Sequence, residues 1–192
     1  MADEKNKVTF GLKNVFIWPI ASTDADGVPT YEEGFKLPGA KEITFSAEGS
    51  SDPFYADDLI YFQANANSGY SGTLTIADIN EEFRTKILAE TKDTNGAIIE
   101  NSDAAIKEFA MAFEFKGDVK ERRHLFYRCK ATRPSVSSKT NEDKIDPNTP
   151  EISITAAPRL DTRDVKASCE KGDACYDTWF GKTPYNGTIP TT

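Results

Sequence analysis

The residues of this chain that could perform chemistry are few and widely spaced. The single histidine, His124, would have to serve any Ser-His-Asp arrangement, yet it lies in an alternating segment on the face that also carries Arg128 and Lys130. A solvated strand histidine is therefore favoured over a general base. No spacing singles out a pair of carboxylates for acid–base work, and the sequence has neither a phosphate-binding glycine loop nor a G-x-S-x-G motif. The sequence thus predicts that the protein is not an enzyme.

One segment imitates a calcium site. Residues 22–33 place Asp24, Asp26, Gly27 and Glu33 at four of the positions expected in a calcium-binding loop. The first position is not acidic, however, a proline interrupts the loop, and both flanks have strand-like patterns rather than helical ones. A hairpin turn is therefore the favoured interpretation.

The three cysteines are an odd number. Cys129 lies in a strand-like run, whereas Cys169 and Cys175 flank a short polar segment that could close a small disulfide loop. Because the chain opens without an apolar leader, we expect it to fold in a cytoplasm, which favours free thiols over a disulfide. With one histidine in the chain, a zinc site has too few ligands at short spacing. The sequence predicts no cofactor and no metal.

The overall charge limits the possible partners. Lys and Arg number 23 against 31 Asp and Glu, which gives a net charge of −8. Such a chain lacks the excess of Lys and Arg with which nucleic-acid-binding proteins neutralise phosphates, and it would not anchor on anionic lipids. Its longest nearly apolar run is too short to span a bilayer. We therefore expect no membrane partner.

In the segments that would position these residues, apolar and polar residues alternate with a period of two, as in β-strands. Alternating apolar faces predict two strands joined by a polar connection, that is, a β-hairpin. One face of the first strand carries Phe109, Met111, Phe113 and Phe115, and one face of the second carries Leu125, Tyr127, Cys129 and Ala131. Further strands are predicted at residues 8–16, 28–37, 42–48, 59–64, 70–76 and 151–156.

One helix and two irregular regions complete the expected fold. Asn80 can cap a helix over residues 81–90, whose apolar positions have the helical period. Residues 134–150 predict an exposed loop, and residues 161–192 predict an extended C-terminal tail. The chain 1–192 is thus expected to form a single, mainly β domain: an antiparallel β-sandwich or barrel with one flanking α-helix.

Aromatic residues of the tail are expected to dock on this domain. Tyr176, Trp179 and Phe180 are large apolar side chains in a segment with few strand signals. Such side chains are rarely placed in a segment that packs against nothing. We therefore predict that these residues hold the tail on the rest of the molecule.

Charge is unevenly distributed along the chain. A basic strip at residues 116–133 provides the candidates for contacts between subunits, which are Lys120, Arg122, Arg123, Arg128 and Lys130. Residues 48–58 are acidic and contain no base. Complementary strips on one chain favour association between non-equivalent surfaces, which builds rings or filaments. Contact of the basic strip with nucleic acid is the less favoured alternative.

Short motifs occur in a specific order along nearly the whole chain. They lie at residues 8–15, 54–58, 64–72, 82–84, 113–118, 122–127, 131–135, 154–159 and 179–180. In this order they resemble the major tail proteins of long-tailed phages that infect Gram-positive bacteria, the phi13-type family. No single motif is diagnostic, but the ordered set is specific.

The resemblance implies a structural virion protein. It would be a subunit of the phage tail tube, in which hexameric rings stack around a lumen and genomic DNA passes through without specific binding. The implied fold is a β-sandwich with a flanking helix, tail-tube-protein-like, whose inner strands join between copies. The implied partners are other copies of the chain and the tape-measure, tail-terminator and tail-tip or baseplate proteins, with assembly in the host cytoplasm. The alternatives are a tube subunit of a related contractile or secretion apparatus and a monomeric β-sandwich binding module.

The resemblance also implies a long excursion that reaches the adjacent ring. Residues 49–70 are the best candidate for this stacking loop, because they begin with turn signals and combine aromatic with acidic residues. The candidate contacts are Asp52, Phe54, Tyr55, Asp57, Asp58 and Tyr61. The alternative is an ordinary hairpin packed on its own domain.

Overall fold

The computed structural model describes residues 9–56, 58–138, 140 and 147–187, with the backbone alone at 51–56, 60 and 62–65. About 41% of the chain is strand and 4% helix. The sheets are antiparallel and one short helix accompanies them, which confirms the predicted fold class. The sheet is consistent with a β-sandwich and does not close into a barrel. No helix of the described residues has the length and apolarity needed to cross a membrane.

The elements follow one another along the chain with mostly short connections. They are β1 (Leu12–Thr23), β2 (Pro29–Tyr31), β3 (Phe35–Lys36), β4 (Ala40–Glu48), β5 (Ser51–Ala56), β6 (Leu59–Asn65), β7 (Gly69–Ile76), α1 (Glu81–Lys86), β8 (Thr91–Lys92), β9 (Ile98–Ile99), β10 (Phe109–Phe115), β11 (Arg123–Ala131), β12 (Glu151–Ala156) and β13 (Lys166–Cys169).

The main sheet has the strand order β2-β1-β10-β11-β12-β7-β4, with β3 beside β1 and β13 beside β11. Two further sheets contain two strands each, β5 with β6 and β8 with β9. Strand β11 has two partners along one edge. Its first half, Arg123–Phe126, pairs with β13, and Cys129–Ala131 pairs with β12.

The inner strand β10 is buried on both faces, and each face contributes to a different apolar cluster. The larger cluster includes Phe109, Met111 and Phe113. The smaller cluster includes Ala110 and Ala112. Small residues on the second face leave room for the indole rings of that cluster, as close packing requires.

The predicted β10–β11 hairpin is confirmed, but the predicted face of its second strand is wrong. Between the pairs Phe109–Cys129 and Met111–Phe126, strand β11 contains one residue more than β10. Such a β-bulge reverses the alternation beyond it. Leu125 and Tyr127 therefore belong to the smaller cluster, whereas Cys129 and Ala131 belong to the larger one.

The helix is shorter than the predicted 81–90. The side chain of Asn80 accepts the Phe83 N–H at 3.0 Å, as expected of an N-cap. Helix α1 ends at Lys86, and Ala89 has a φ of 59°, in the left-handed region. The chain therefore turns after Leu88, whose fully buried side chain is part of the larger cluster.

The segment predicted as one strand at 28–37 forms two short strands. Strand β2 pairs with the far end of β1 and strand β3 with its middle. Gly34, between them, lies so close to the rings of Phe16 and Trp18 that an added Cβ would be 2.3–2.5 Å away. The packing of these rings against the backbone thus interrupts the strand. The predicted loop 134–150 lies partly outside the described residues.

The interpretation of the C-terminal cysteines as free thiols is wrong. Cys169 and Cys175 are joined by a disulfide, with their Cα atoms 6.5 Å apart. Pairing with β11 fixes Cys169 at the end of β13, and the turn that follows returns Cys175 to it. Cys129 is a free, buried thiol, and burial raises its pKa. The absence of an apolar leader favoured free thiols, whereas the fold brings the two sulfurs to bonding distance.

Candidate assembly surfaces

Strands β5 and β6 form a projection that we call the arm, residues 51–65. Strands β4 and β7 pair as far as Glu48 and Gly69. Two backbone hydrogen bonds, from Ser68 to Glu48 at 2.8 Å and from Ala66 to Ser50 at 2.9 Å, continue the ladder into the arm. Within the described chain, β5 and β6 pair only with each other. The arm thus extends the β4–β7 hairpin beyond the main sheet.

The tip of the arm exposes apolar side chains. Leu59 is 71% exposed and Tyr61 is 77% exposed. Asp58, also exposed, has a φ of 60°, in the left-handed region that Asp tolerates in turns. Among the other predicted stacking residues, Asp52, Phe54 and Tyr55 lie on β5, where only the backbone is described, and Asp57 lies outside the described residues. From residue 42 to residue 83 the chain has no Lys, Arg or His.

Most of the basic strip is paired within the chain. Arg128 donates to Glu108 from Nε and Nη2 at 2.8 and 2.9 Å, and this hydrogen bonding raises the pKa of Arg128. Lys120 and Arg122 both donate to the carboxylate of Glu170 at 3.0 Å, which lowers the pKa of Glu170. These three cations are therefore less available to another subunit than the sequence analysis expected.

Arg123 is part of the fold. Its Nε lies 3.2 Å from the carboxylate of Glu114, which is 3% exposed. Its guanidinium lies over the ring of Tyr176 at 3.6 Å and over that of Phe180 at 4.8 Å. Exposed Lys130 has no carboxylate within ion-pair distance among the described residues. An inter-subunit role of the strip stays a prediction, and Lys130 is its most available member.

The predicted docking aromatics lie on the smaller cluster. Trp179 is 1% exposed, and Tyr176 and Phe180 pack beside it. Trp18 Nε1 donates to the carbonyl of Gly181 at 3.0 Å. The described part of the predicted extended tail, residues 161–187, is thus folded onto the face of β1, β10 and β11 that carries the smaller cluster.

A buried arginine, which the sequence analysis did not single out, anchors this segment. Arg159 is 3% exposed, donates to Asp161 at 2.9 Å and to Asn186 at 2.6 Å, and lies 5.3 Å from the ring of Tyr127. The hydrogen bond from Arg159 lowers the pKa of Asp161. Because Asn186 is distant in sequence, only the folded chain shows this contact.

The second unanticipated feature is an open cavity of about 550 Å³, which we call the aromatic groove. Five rings from four strands line it, those of Phe45, Tyr70, Phe113, Phe115 and Phe126. The Phe45 and Phe126 rings are 4.5 Å apart, and Tyr70 meets Phe126 edge-on at 5.4 Å. The alternation of apolar residues predicts that these side chains face the apolar core. It does not predict that one end of their cluster is open to solvent.

The rim of the groove is polar. It includes Arg122, His124, Lys166 and Glu170. His124 stacks on Phe113 at 5.4 Å and is half-buried rather than solvated as predicted. Burial lowers the pKa of His124, so the imidazole is neutral at pH 7.

The two candidate metal sites have structural roles. The side chain of Asp24 accepts the backbone N–H groups of Asp26 and Val28 at 3.0 and 2.8 Å, and β1 pairs with β2 on either side, which confirms the hairpin turn. Among the described residues, Cys169, Asp173 and Cys175 could place ligand atoms together. Both sulfurs belong to the disulfide, however, and so do not offer thiolates.

Comparison with models of protein families identifies the family of the chain. A family model described as phage tail tube protein matches residues 1–179 of this chain. A search of curated proteins finds no match. The matched residues include the whole main sheet, the arm and the aromatic groove, and they end at the buried Trp179.

Proposed function

The chain belongs to the phage tail tube protein family, and from this premise we propose that it forms hexameric rings that stack into the tube of the tail. It is a structural subunit of the tail tube, located in the tail of the virion, and its family is not an enzyme family. Genomic DNA is delivered through the lumen of the stacked rings. Subunits assemble in the host cytoplasm with tape-measure, terminator and tail-tip proteins.

The arm is the observation that carries the stacking proposal. Its two strands are hydrogen-bonded to each other, and Leu59 and Tyr61 at its tip are mostly exposed. Exposed apolar side chains on a projecting element are typical of surfaces that another chain covers. The arm therefore reaches a neighbouring subunit, which makes residues 49–70 the stacking loop.

The edge of the main sheet supports ring formation. Strand β4 ends the strand order, and among the described strands it pairs only with β7. A nine-residue edge strand leaves backbone donors and acceptors unpaired, which favours pairing with another chain. In a ring of six subunits, the β4 edge of each subunit pairs with a different strand of the next subunit, which satisfies these groups.

The charge supports passage of DNA without tight binding. The net charge is −8, and residues 42–83 contain no base. A surface of the same sign as the phosphates does not release the counterions that stabilise protein–DNA complexes. DNA can therefore move along the lumen rather than adhere to it.

Electron microscopy of the concentrated, purified protein tests the proposal directly. We expect rings or tubes with a central pore, whose abundance increases with protein concentration. In parallel, a gel shift at physiological salt should show no retarded DNA band at micromolar protein. A protein that stays monomeric by light scattering at every concentration, with or without the tail-tip proteins, would refute the assembly.

The contribution of the stacking loop is tested by Tyr55→Ala. If Tyr55 anchors the loop on a neighbour, the variant should form fewer tubes while its melting temperature stays nearly unchanged. Loss of an aromatic hot spot costs roughly 2 kcal/mol of binding free energy. A variant that melts several degrees earlier and still polymerises would instead place Tyr55 in the packing of its own domain.

A further inference from the structure

The aromatic groove is an apolar surface without a cover in the described chain. Its floor consists of Phe113 and Phe126, which are 6% and 5% exposed, and its walls include the half-buried rings of Phe45, Tyr70 and Phe115. Such a concave surface, lined by rings from several strands, can hold one or two large apolar side chains. It thus has the form of an acceptor site.

The tip of the arm has the complementary form. Leu59 and Tyr61 are large, apolar and mostly exposed, and Asp58 beside them adds a negative charge. Aromatic and aliphatic side chains that enter a pocket on a partner are typical anchors of protein interfaces. The tip of the arm is therefore suited to insert into an apolar groove that has a positively charged rim.

The rim of the groove provides that charge. The ammonium of Lys166 lies 4.7 Å from the centre of the Tyr70 ring, and among the described residues no carboxylate is within ion-pair distance of it. Arg122 adds a second positive charge, which Glu170 and Asp118 partly offset. Because the arm and its flanks contain no base, contact between the tip and this rim brings together opposite charges.

The arm of the same molecule is poorly placed to fill the groove. Phe45 and Tyr70 lie on β4 and β7, close to the base of the arm, where the ladder continues outward. About nine residues separate Glu48 from the tip, so the tip lies roughly 30 Å from the base if the strands stay extended. The arm of a second copy is free of this restriction and can approach the groove from outside.

We propose that the aromatic groove receives the tip of the arm of a neighbouring subunit, with Leu59 and Tyr61 among its rings and Asp58 facing Lys166. This inference rests on the proposed tube, which supplies the neighbour. Donor and acceptor are different surfaces of one chain, so the contact is heterologous and can propagate from subunit to subunit. The groove and the tip together define one repeating interface of the assembly.

A charge exchange tests the contact. Asp58→Lys and Lys166→Glu each place like charges together and should raise the concentration needed for tube formation roughly five- to tenfold. The double variant restores opposite charges and should return that concentration close to the wild-type value. Tubes are measured by sedimentation and counted by electron microscopy. Asp26→Lys, at an exposed turn elsewhere, is the matched control and should behave as wild type.

The apolar part of the contact is tested by Leu59→Ser, which alters a side chain that is 71% exposed and should not disturb folding. Tube formation should fall, whereas Ile99→Ser, at another exposed apolar residue, should have no effect. Melting temperatures of all variants establish that they fold.

The outcomes separate this inference from the proposed function. If wild-type protein forms no rings or tubes with or without the tail-tip proteins, both are refuted. If wild-type protein assembles but Leu59→Ser assembles equally well, or the double charge variant is no better than the single ones, the tube stands and docking in the groove is wrong. If Lys166→Glu weakens tubes and neither Asp58→Lys nor Leu59→Ser does, another segment fills the groove, which also overturns the proposal.

Discussion

The C-terminal segment, residues 161–187, and the arm, residues 51–65, are constructed in opposite ways. The C-terminal segment has one strand of four residues and otherwise consists of turns and bends, yet its Trp179 is 1% exposed. The arm consists of two paired strands, yet its Leu59 and Tyr61 are 71% and 77% exposed. In the arm, a regular backbone thus carries exposed side chains. In the C-terminal segment, a mostly irregular backbone carries buried ones.

The difference shows which interactions attach a segment to a domain. Hydrogen bonds between the two strands of a hairpin hold the strands together and leave their side chains free to contact another molecule. The C-terminal segment is attached by apolar burial, by the pairing of β13 with β11, and by Arg123 between Glu114 and the rings of Tyr176 and Phe180. The disulfide cross-links the segment internally. The stability of the monomer should therefore depend on the C-terminal segment and hardly at all on the arm.

The largest effect is expected at the centre of the C-terminal segment. Trp179→Ala removes a buried indole from the smaller cluster and should lower the free energy of unfolding by about 3–5 kcal/mol. Urea unfolding of the monomer measures this loss. Trp179→Phe retains much of the apolar volume and should lose less. A change within about 0.5 kcal/mol for the alanine variant would mean that the segment is not docked in solution.

An intermediate effect is expected from the disulfide between Cys169 and Cys175. In the chain-entropy description, a cross-link across so short a loop contributes about 2 kcal/mol. Reduction, or Cys175→Ser, should lower the free energy of unfolding by that amount, as measured by urea unfolding with and without reductant. The Cys175→Ser variant serves as the control, because reductant should not destabilise it further. Equal stability of oxidised and reduced wild-type protein would contradict the prediction.

The smallest effect on stability is expected at the arm. Tyr61→Ser should change the free energy of unfolding of the monomer by less than about 0.5 kcal/mol, because the ring is mostly in water. Thermal unfolding at concentrations below assembly measures this. A loss above about 1 kcal/mol would show that the arm packs on its own domain, and the contrast with the C-terminal segment would disappear.

Local alternation was sufficient to predict the fold class and most strands, because burial on one side of a sheet imposes a period of two. It failed at β11, where one extra residue places Leu125 and Cys129 on opposite faces. It also missed β13, whose existence depends on pairing with β11 rather than on its own composition. Pairing between distant segments is not encoded in a local pattern.

The candidate assembly surfaces, like the strands, could be predicted from the sequence only in part. The basic strip and the aromatic, acidic arm are visible in the sequence as clusters of residue types. The acids that pair with the strip, Glu108 and Glu170, could not be assigned, because the fold brings them next to Arg128 and Arg122. The aromatic groove was equally hidden, since its rings come from β4, β7, β10 and β11.

The state of the three cysteines makes the protein a convenient scaffold for site-specific conjugation. Cys169 and Cys175 are consumed in a disulfide, and Cys129 is buried with its thiol pKa raised by burial, so its thiolate is scarce at neutral pH. A cysteine introduced at an exposed position would then be the one thiol that reacts with maleimide dyes or gold clusters under non-reducing conditions. Each subunit would carry a single label, and an assembled tube would display them at its own molecular repeat.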